Sequence, residues 1–339
     1  MPLRMLWTRS KRTWMEKKTD FRSDNRRMNP LFQVPIRMMD RRCRRLEAGI
    51  ETGHQVPDGV LEYLDMPFQG AGGVPLAVDI FRAKARDLRP LPVVIMIHGG
   101  GLVVGTRKLS RTFCEKLAAR GFLVFAPEYR RLTETDVFQE IGDVAAALAS
   151  VSGMLAEYGG DPDRVTIVSE SAGSFLSVYA VAAMGSPALR KAFGLPEVSL
   201  RVRALACFSG FFYTARRDLP GLVYGRMMFG KKRKESSFRR YLDPECPDVM
   251  DRLPPVFLAG SDADFLKSYT KRYAAALRSA GHSCKLVYYE GNKKLTHAFP
   301  ALKPDLPESR NVMDQLVDWI SLREHQSWTE EPAGSERLP

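Results

Sequence analysis

Ser171 is the first residue whose setting suggests chemistry. It stands in SESAG at 169–173, after the apolar run RVTIV and before the helical run AGSFLSVYAVAAM. Small residues around a serine permit the sharp strand-to-helix turn that exposes a hydroxyl at a helix N-terminus. A hydroxyl placed there attacks an acyl carbon when a general base lies beside it. We therefore interpret Ser171 as the nucleophile of an acyl-transfer site.

A run of three glycines supplies candidates for binding an oxyanion. Gly99, Gly100 and Gly101 follow the apolar run VVIMI and one histidine. Glycines let the backbone approach a ligand closely and point N–H groups at it, although such a run is equally typical of a tight turn. The N–H of Ala172 faces the same oxyanion when the preceding serine is the nucleophile. We predict an oxyanion hole formed by these three glycines and Ala172.

An acid and a histidine follow the serine in chain order. Asp262 and Asp264 come after the seventh of the strands predicted below, and His297 stands in THAF after the eighth. Serine, aspartate, histidine is the order used by the fold in which such serine turns occur. The acid must bond to the imidazole where the chain enters the next helix, which favours Asp264 and leaves Asp262 as the alternative.

The elements that position these residues alternate along the chain. From about residue 60, short β-branched runs alternate with longer helical patterns, which predicts an α/β fold with a mostly parallel eight-stranded sheet and helices on both faces. The predicted strands lie at 60–66, 75–83, 92–98, 122–129, 164–170, 203–209, 255–260 and 284–290. The predicted helices lie at 108–120, 136–157, 172–184, 266–281 and 309–323. The first two strands, joined by QGAGG, predict an antiparallel hairpin at the sheet edge.

The N-terminal segment is strongly basic. The formal net charge is +12, and most of it lies within residues 1–46. Apolar residues at helical spacing predict a stripe with an arginine-rich back; they are Ile36, Met39, Cys43, Leu46 and Ile50. We predict that residues 1–58 form a basic cap over the mouth of the site, with about the first 25 mobile. Residues 59–325 then form the catalytic domain, and 326–339 a disordered tail.

Five ordered motifs together resemble a known family. They are HGGG at 98–101, PEYR at 127–130, GGDPDRVTIV at 159–168, SESAG at 169–173 and THAF at 296–299. This set is similar to that of the hormone-sensitive-lipase-like esterases, a branch of the α/β-hydrolases, over about residues 60–323. The resemblance implies an α/β-hydrolase fold, an N-terminal helical cap, and hydrolysis of small acyl esters without a metal or organic cofactor.

The resemblance also implies roles for single residues. Ser171 looks like the nucleophile and His297 like its base. The N–H groups of Gly100, Gly101 and Ala172 look like the oxyanion hole, and His98 with Gly99 would set the loop. For the acid, the family's spacing fits Asp262 while its Asp-x-Leu pattern fits Asp264, so both stay open.

Two departures from the family pattern lie beside the nucleophile. The family usually has glycine where this chain has Ser169 and Ser174. Both replacements are small, but a Cβ at position 169 would crowd the turn. The departures therefore bear on the expected activity more than on the expected fold.

These observations predict a serine esterase that hydrolyses small or short-acyl carboxylic esters through an acyl-enzyme. The same triad serves amidases and peptidases, and some proteins of this fold are small-molecule receptors that have lost the catalytic histidine, so both remain alternatives. The expected ligand is a small-molecule ester, with no cofactor.

Charge and cysteine usage limit the other partners. The basic runs at 1–46 and 225–240 are typical of a solvated helix face or a mobile tip, and weak association of the N-terminus with an anionic membrane surface, or with an acidic partner, is the alternative. Both runs lack the interleaved aromatic residues of a nucleic-acid surface, so we expect no nucleic acid. The five cysteines lack metal or redox spacing, and His54, His282 and His325 have no matching partners. We expect free thiols, surface histidines and no metal. With no long apolar run, a cytoplasmic protein is predicted.

Overall fold

The computed structural model describes residues 30–52, 54–84, 89–214, 228–229 and 234–324. Residues 1–29 of the predicted cap, His325, the tail at 326–339, and residues 225–227 and 230–233 of the second basic run lie outside the described residues.

The eight predicted strands form one sheet. They are β1 Val60–Gln69, β2 Pro75–Ala83, β3 Leu91–Ile97, β4 Leu123–Pro127, β5 Gly160–Glu170, β6 Val202–Phe208, β7 Val256–Ser261 and β8 Cys284–Tyr289. Their order in the sheet is β1-β2-β4-β3-β5-β6-β7-β8. β2 pairs antiparallel with β1 and with β4, and the remaining five pairings are parallel. The mostly parallel sheet and the hairpin at its edge are therefore confirmed.

The helices cover both faces of the sheet. They are α1 Pro30–Glu51, α2 Arg111–Ala118, α3 Val137–Tyr158, α4 Ala172–Met184, α5 Pro187–Phe193, α6 Ser236–Arg239, α7 Pro247–Met250, α8 Lys267–Ser279, α9 Phe299–Leu302 and α10 Pro307–Glu324. The sequence did not predict α5, α6, α7 or α9, because four to seven residues are too few to show a helical period. No helix in the described part of the chain is both long and apolar enough to span a bilayer.

The central strands are apolar throughout because both of their faces are buried. Val93, Ile95 and Ile97 of β3 belong to one core layer, whereas Val94 and Met96 belong to the other. Helices α3, α4, α5 and α8 contribute to the first layer, and α2, α9 and α10 to the second. Each such side chain contributes about 1.5–3 kcal/mol through its removal from water. The sheet is therefore a rigid support for the loops at its carboxyl edge.

The local sequence encodes both ends of α3. The Asp136 side chain accepts hydrogen bonds from the N–H groups of Phe138 and Gln139, each at 3.0 Å. Gly159 ends the helix with a φ of 73°, a left-handed conformation that glycine adopts without steric cost. This helix leads directly into β5, and β5 carries the chain to Ser171.

Candidate active site

Ser171 occupies a strained turn between β5 and α4. Its φ is 51° and its ψ is −118°, a conformation that surrounding structure must hold in place. Its N–H donates to the Phe208 carbonyl at 2.9 Å, and its carbonyl accepts from the Phe211 N–H at 3.0 Å. A Cβ at Gly173 would lie 2.3 Å from the Ile97 carbonyl oxygen, so glycine is required there. The turn is thus held between the ends of β3 and β6.

The structure brings Ser171, His297 and Asp264 into one hydrogen-bonded chain. His297 Nε2 lies 2.7 Å from Ser171 Oγ, and His297 Nδ1 lies 2.8 Å from Asp264 Oδ1. An imidazole that donates from Nδ1 to a carboxylate presents Nε2 as the acceptor for the hydroxyl proton. The three residues meet because β5, β7 and β8 run parallel and end at the same edge of the sheet.

Asp264 is fixed at the entrance to α8. Its Oδ1 also accepts the N–H of Leu266 at 2.8 Å, and its side chain is fully buried. Burial alone would raise the pKa of Asp264, but the hydrogen bond and charge of His297 outweigh burial and hold that pKa below its ordinary value. Asp264 therefore stays a carboxylate at neutral pH and orients the imidazole.

The alternative acid, Asp262, lies outside this chain of hydrogen bonds. Its Oδ1 accepts from the Tyr288 hydroxyl at 2.9 Å and from Lys271 Nζ at 3.2 Å. Its side chain is 40% exposed. The geometry therefore associates Asp264, and not Asp262, with His297.

The three glycines of the loop differ in whether their N–H groups already have an acceptor. Gly100 and Gly101 have φ values of 116° and 62°, which glycine adopts readily. The N–H groups of Gly100, Gly101 and Ala172 have no acceptor among the described residues. The Gly99 N–H, in contrast, donates to Glu170 Oε1 at 2.5 Å. The prediction that Gly99 contributes an oxyanion donor is therefore wrong, because its N–H is already engaged.

Glu170 connects the turn at Ser171 to the glycine loop. It immediately precedes Ser171 and is buried. A Cβ at position 99 would lie 2.4 Å from Glu170 Oε2. Only glycine at this position therefore allows the carboxyl group to come so close to the loop. Burial raises the pKa of Glu170 above its ordinary value. This contact was not predictable from the sequence, since position 170 is a variable position of the motif.

The two departures from the family pattern contact each other. Ser169 Oγ lies 3.2 Å from Ser174 Oγ and donates to the Ala206 carbonyl at 3.0 Å. Both serines are fully buried. The turn thus accommodates the Cβ at position 169. The two hydroxyl groups bond to each other, and the Ser169 hydroxyl also bonds to the Ala206 carbonyl of β6.

A network of ion pairs that runs from the buried His98 to the exposed Asp65 lies beside the glycine loop. Glu128 accepts from His98 Nε2 at 2.9 Å and from Arg107 Nη1 at 3.3 Å. Arg107 also pairs with Asp79 at 2.9 Å and with Asp65 in the edge hairpin. Burial alone would raise the pKa of Glu128, but His98 and Arg107 outweigh it and lower that pKa to about 2. Glu128 lies in the PEYR motif, but the sequence did not predict which residues it contacts.

Helix α1 packs on the segment that follows the three glycines. Ile36 is buried against Val103 and Val104, with Met39 and Cys43 packed beside them. Glu47 Oε1 accepts from the Thr106 hydroxyl at 2.8 Å. Burial, together with the charges of Glu47 and Glu170, raises the pKa of the Cys43 thiol to about 11. Of the helical stripe predicted from the sequence, Ile36, Met39 and Cys43 therefore lie against the segment that follows the glycines, whereas Leu46 is exposed.

His54 is not the exposed histidine that the sequence predicted. Its side chain is 13% exposed, and its Nε2 lies 2.8 Å from Glu115 Oε1. His54, Glu62 and Glu115 place their ligand atoms within 4.8 Å of one another, as a metal site would. However, the Arg111 guanidinium donates to both carboxylates and supplies the positive charge there. His282 is also only partly exposed, with Nε2 3.8 Å from Asp251 Oδ1. All five cysteines are free thiols, as predicted.

A family model matches most of the chain. The model of a family described as having the alpha/beta hydrolase fold matches residues 94–301, which is more than half of the sequence and extends from within β3 past His297. The chain belongs to this family. The resemblance inferred from the HGGG and SESAG motifs is therefore confirmed.

Curated relatives of the chain carry esterase names. It is 25% identical over 248 residues to a probable isoprenylcysteine alpha-carbonyl methylesterase of Oryza sativa, covering 68% of this chain and 56% of the relative. It is 28% identical over 273 residues to esterase LipQ of Mycobacterium tuberculosis, covering 76% of this chain and 62% of LipQ. The chain thus spans about half the length of the curated relatives it matches.

Solved esterase structures share the fold. Esterase B from Lactobacillus rhamnosis, solved with a tributyrin phosphonate inhibitor, superposes with a TM-score of 0.78 at 20% identity, covering 87% of this chain and 96% of that one. An esterase from the archaeon Pyrobaculum calidifontis gives a TM-score of 0.66 at 20% identity, covering 87% and 98%. These likenesses support the fold.

Proposed function

We propose that this protein is a serine hydrolase that cleaves small or short-acyl carboxylic esters through an acyl-enzyme. The observation that carries the proposal is the 2.7 Å contact between Ser171 Oγ and His297 Nε2 at a turn of positive φ, with Asp264 behind the imidazole. A hydroxyl in that position has both a base to take its proton and a fixed direction of attack.

The proposed mechanism assigns one step to each group. Ser171 Oγ attacks the ester carbonyl carbon while its proton passes to His297 Nε2, and Asp264 stabilises the resulting imidazolium. The N–H groups of Gly100, Gly101 and Ala172 stabilise the oxyanion, and loss of one such donor typically costs about 3–4 kcal/mol of barrier. The alcohol leaves with the proton of His297. Water then attacks the acyl carbon, His297 takes its proton, and the acid departs as Ser171 regains its own.

Esters are proposed over amides because of the relatives. Both the rice methylesterase and LipQ carry names that specify ester hydrolysis. A receptor role is disfavoured because His297 is present and bonded to both of its triad partners.

We further propose that residues 1–58 act as a cap and limit the acyl chain to short lengths. The support is the contact of α1 with Val103, Val104 and Thr106, directly after the glycines of the loop. We also propose that this basic segment associates weakly with anionic membranes.

The test is hydrolysis of p-nitrophenyl esters of graded acyl length, with p-nitroacetanilide as the amide. We expect turnover of the acetate and butyrate, little of the palmitate, and none of any ester by Ser171→Ala or His297→Ala, each of which should retain the wild-type unfolding temperature. Preference for the anilide would favour an amidase. Tight ester binding without turnover would favour a receptor, and a well-folded Ser171→Ala variant that kept its activity would refute the nucleophile assignment.

A further inference from the structure

The face of α1 that points away from the protein combines arginines with exposed apolar side chains. Val34 and Met38 are 63% and 67% exposed. Arg41 and Arg45 continue the same line at helical spacing, with Arg37 and Arg42 on either side of it, and all four arginines are exposed. We call these six residues the outer face of α1.

The outer face is opposite the surface by which α1 packs on the domain. Ile36, Met39 and Cys43 lie about half a helical turn away and contact Val103 and Val104. The arginines of the outer face form no ion pair with any residue that the structure describes, whereas Arg44 pairs with Asp40 at 2.8 Å. The outer face therefore has both uncompensated charge and apolar surface available for a partner.

We infer that the outer face of α1 is a docking surface for an anionic lipid bilayer, with α1 lying parallel to the membrane plane. Arginines interspersed with apolar side chains on one exposed face are typical of helices that lie in the interface of a membrane. The guanidinium groups would pair with acidic headgroups while Val34 and Met38 enter the acyl boundary. A nucleic acid or an acidic protein would satisfy the arginines but would leave the two apolar side chains without a reason to be exposed.

The charge of the neighbouring sequence strengthens the inference. Most of the net charge of +12 lies within residues 1–46, which include α1 up to Leu46. Since α1 is about 10 Å across, docking would hold the glycine loop about one helix diameter from the bilayer surface. The inference rests on the proposed association of the N-terminal segment with anionic membranes, for which it names the surface, and it does not depend on the proposed esterase activity.

The experiment is cosedimentation of the full-length protein with vesicles of phosphatidylcholine alone and of phosphatidylcholine with phosphatidylserine. We compare the wild type, the charge reversal Arg37→Glu/Arg41→Glu/Arg45→Glu and the apolar change Val34→Asn/Met38→Gln. The control Lys191→Glu/Arg252→Glu/Arg278→Glu alters the net charge equally at exposed positions elsewhere. Thermal unfolding establishes that each variant folds, and Ser171→Ala separates binding from hydrolysis.

We expect binding to the anionic vesicles only, weakened about tenfold or more by the α1 charge reversal and little by the control. We also expect the apolar variant to bind these vesicles less well but to bind heparin as the wild type does, and Ser171→Ala to bind normally. Equal binding to neutral vesicles, or equal loss in the charge reversal and its control, would overturn the inference. So would binding of heparin or RNA without any binding of vesicles.

Discussion

His98 places both of its ring nitrogens against oxygen atoms. Nε2 lies 2.9 Å from Glu128 Oε1, and Nδ1 lies 2.8 Å from the Gly99 carbonyl oxygen. Because a carboxylate only accepts hydrogen bonds, Nε2 is the nitrogen that donates to Glu128. The ring of Tyr129 stacks on the imidazole with ring centroids 4.3 Å apart. Glu128 thereby positions the loop that carries the proposed oxyanion donors.

The first prediction concerns this positioning. Glu128→Gln should lower kcat about tenfold to a hundredfold with little change in KM, because a small displacement of the loop affects the oxyanion more than the bound ester. Steady-state kinetics on p-nitrophenyl butyrate measures the split. Glu134→Gln, which alters a carboxyl paired with Arg131 in the same region, should leave both constants within about twofold. A rise in KM alone would show that Glu128 does not act through the loop.

The second prediction is a pH dependence of stability. The pKa of Glu128 is lowered to about 2 in the folded protein, so its charged form stabilises the fold above the unfolded pKa, and this contribution is lost as pH falls toward about 2. Glu128→Gln should therefore be less stable than the wild type at pH 6, by at most about 3 kcal/mol, and the difference should shrink as the pH approaches 3. Urea unfolding at both pH values measures it. A difference that grew on acidification would contradict the assignment.

The third prediction separates the two aspartates. Asp264→Asn should reduce kcat by about 10⁴-fold, because the imidazole loses the partner that fixes its tautomer. Asp262→Asn should change it little, since Asp262 bonds to Tyr288 and Lys271 instead. Kinetics of both variants on one ester is sufficient. The reverse ranking would transfer the role to Asp262.

The fourth prediction concerns the serines beside the nucleophile. Ser169→Ala and Ser174→Ala should be coupled in a double-mutant cycle by about 0.5–1.5 kcal/mol of unfolding free energy, because their hydroxyl groups bond to each other at 3.2 Å. Denaturant unfolding of the four proteins gives the coupling. Strictly additive effects would mean that each hydroxyl is satisfied by other groups.

The fifth prediction tests the cap. Deletion of residues 1–58 should expose the apolar side chains of Val103 and Val104 and broaden the acyl-length preference, because one wall of the site is removed. The same ester series measures the change. If the truncated protein were soluble and kept the same acyl-length preference and turnover, the cap role would be refuted. The segment would then serve only to associate the protein with a surface.

Local sequence patterns were sufficient to predict the strands, the longer helices and the candidate site residues at their ends. The apolar run of β3 predicted a strand buried on both faces, and the small residues of SESAG predicted the turn at Ser171. Parallel strands ending at one edge then made the meeting of Ser171, Asp264 and His297 foreseeable.

Side-chain pairing across the fold was not predictable in the same way. Glu170 and the Gly99 N–H are 71 residues apart, and Arg107 and Asp65 are 42 apart. Such contacts depend on loop conformations that carry no periodic signal. The same holds for His54, whose partner Glu115 lies on α2. A single sequence identifies which residues are unusual but not which atoms they contact.

The most direct test of the account is covalent labelling with diethyl p-nitrophenyl phosphate, which requires an activated serine but no particular acyl pocket. We predict release of about one equivalent of p-nitrophenol per active site and an intact mass increased by one diethylphosphoryl group, located on the peptide that contains Ser171. Ser171→Ala should remain unlabelled, and His297→Ala should react far more slowly while unfolding at the wild-type temperature. Absence of labelling in the folded wild type, or a label on another residue, would contradict the proposal that Ser171 is the nucleophile.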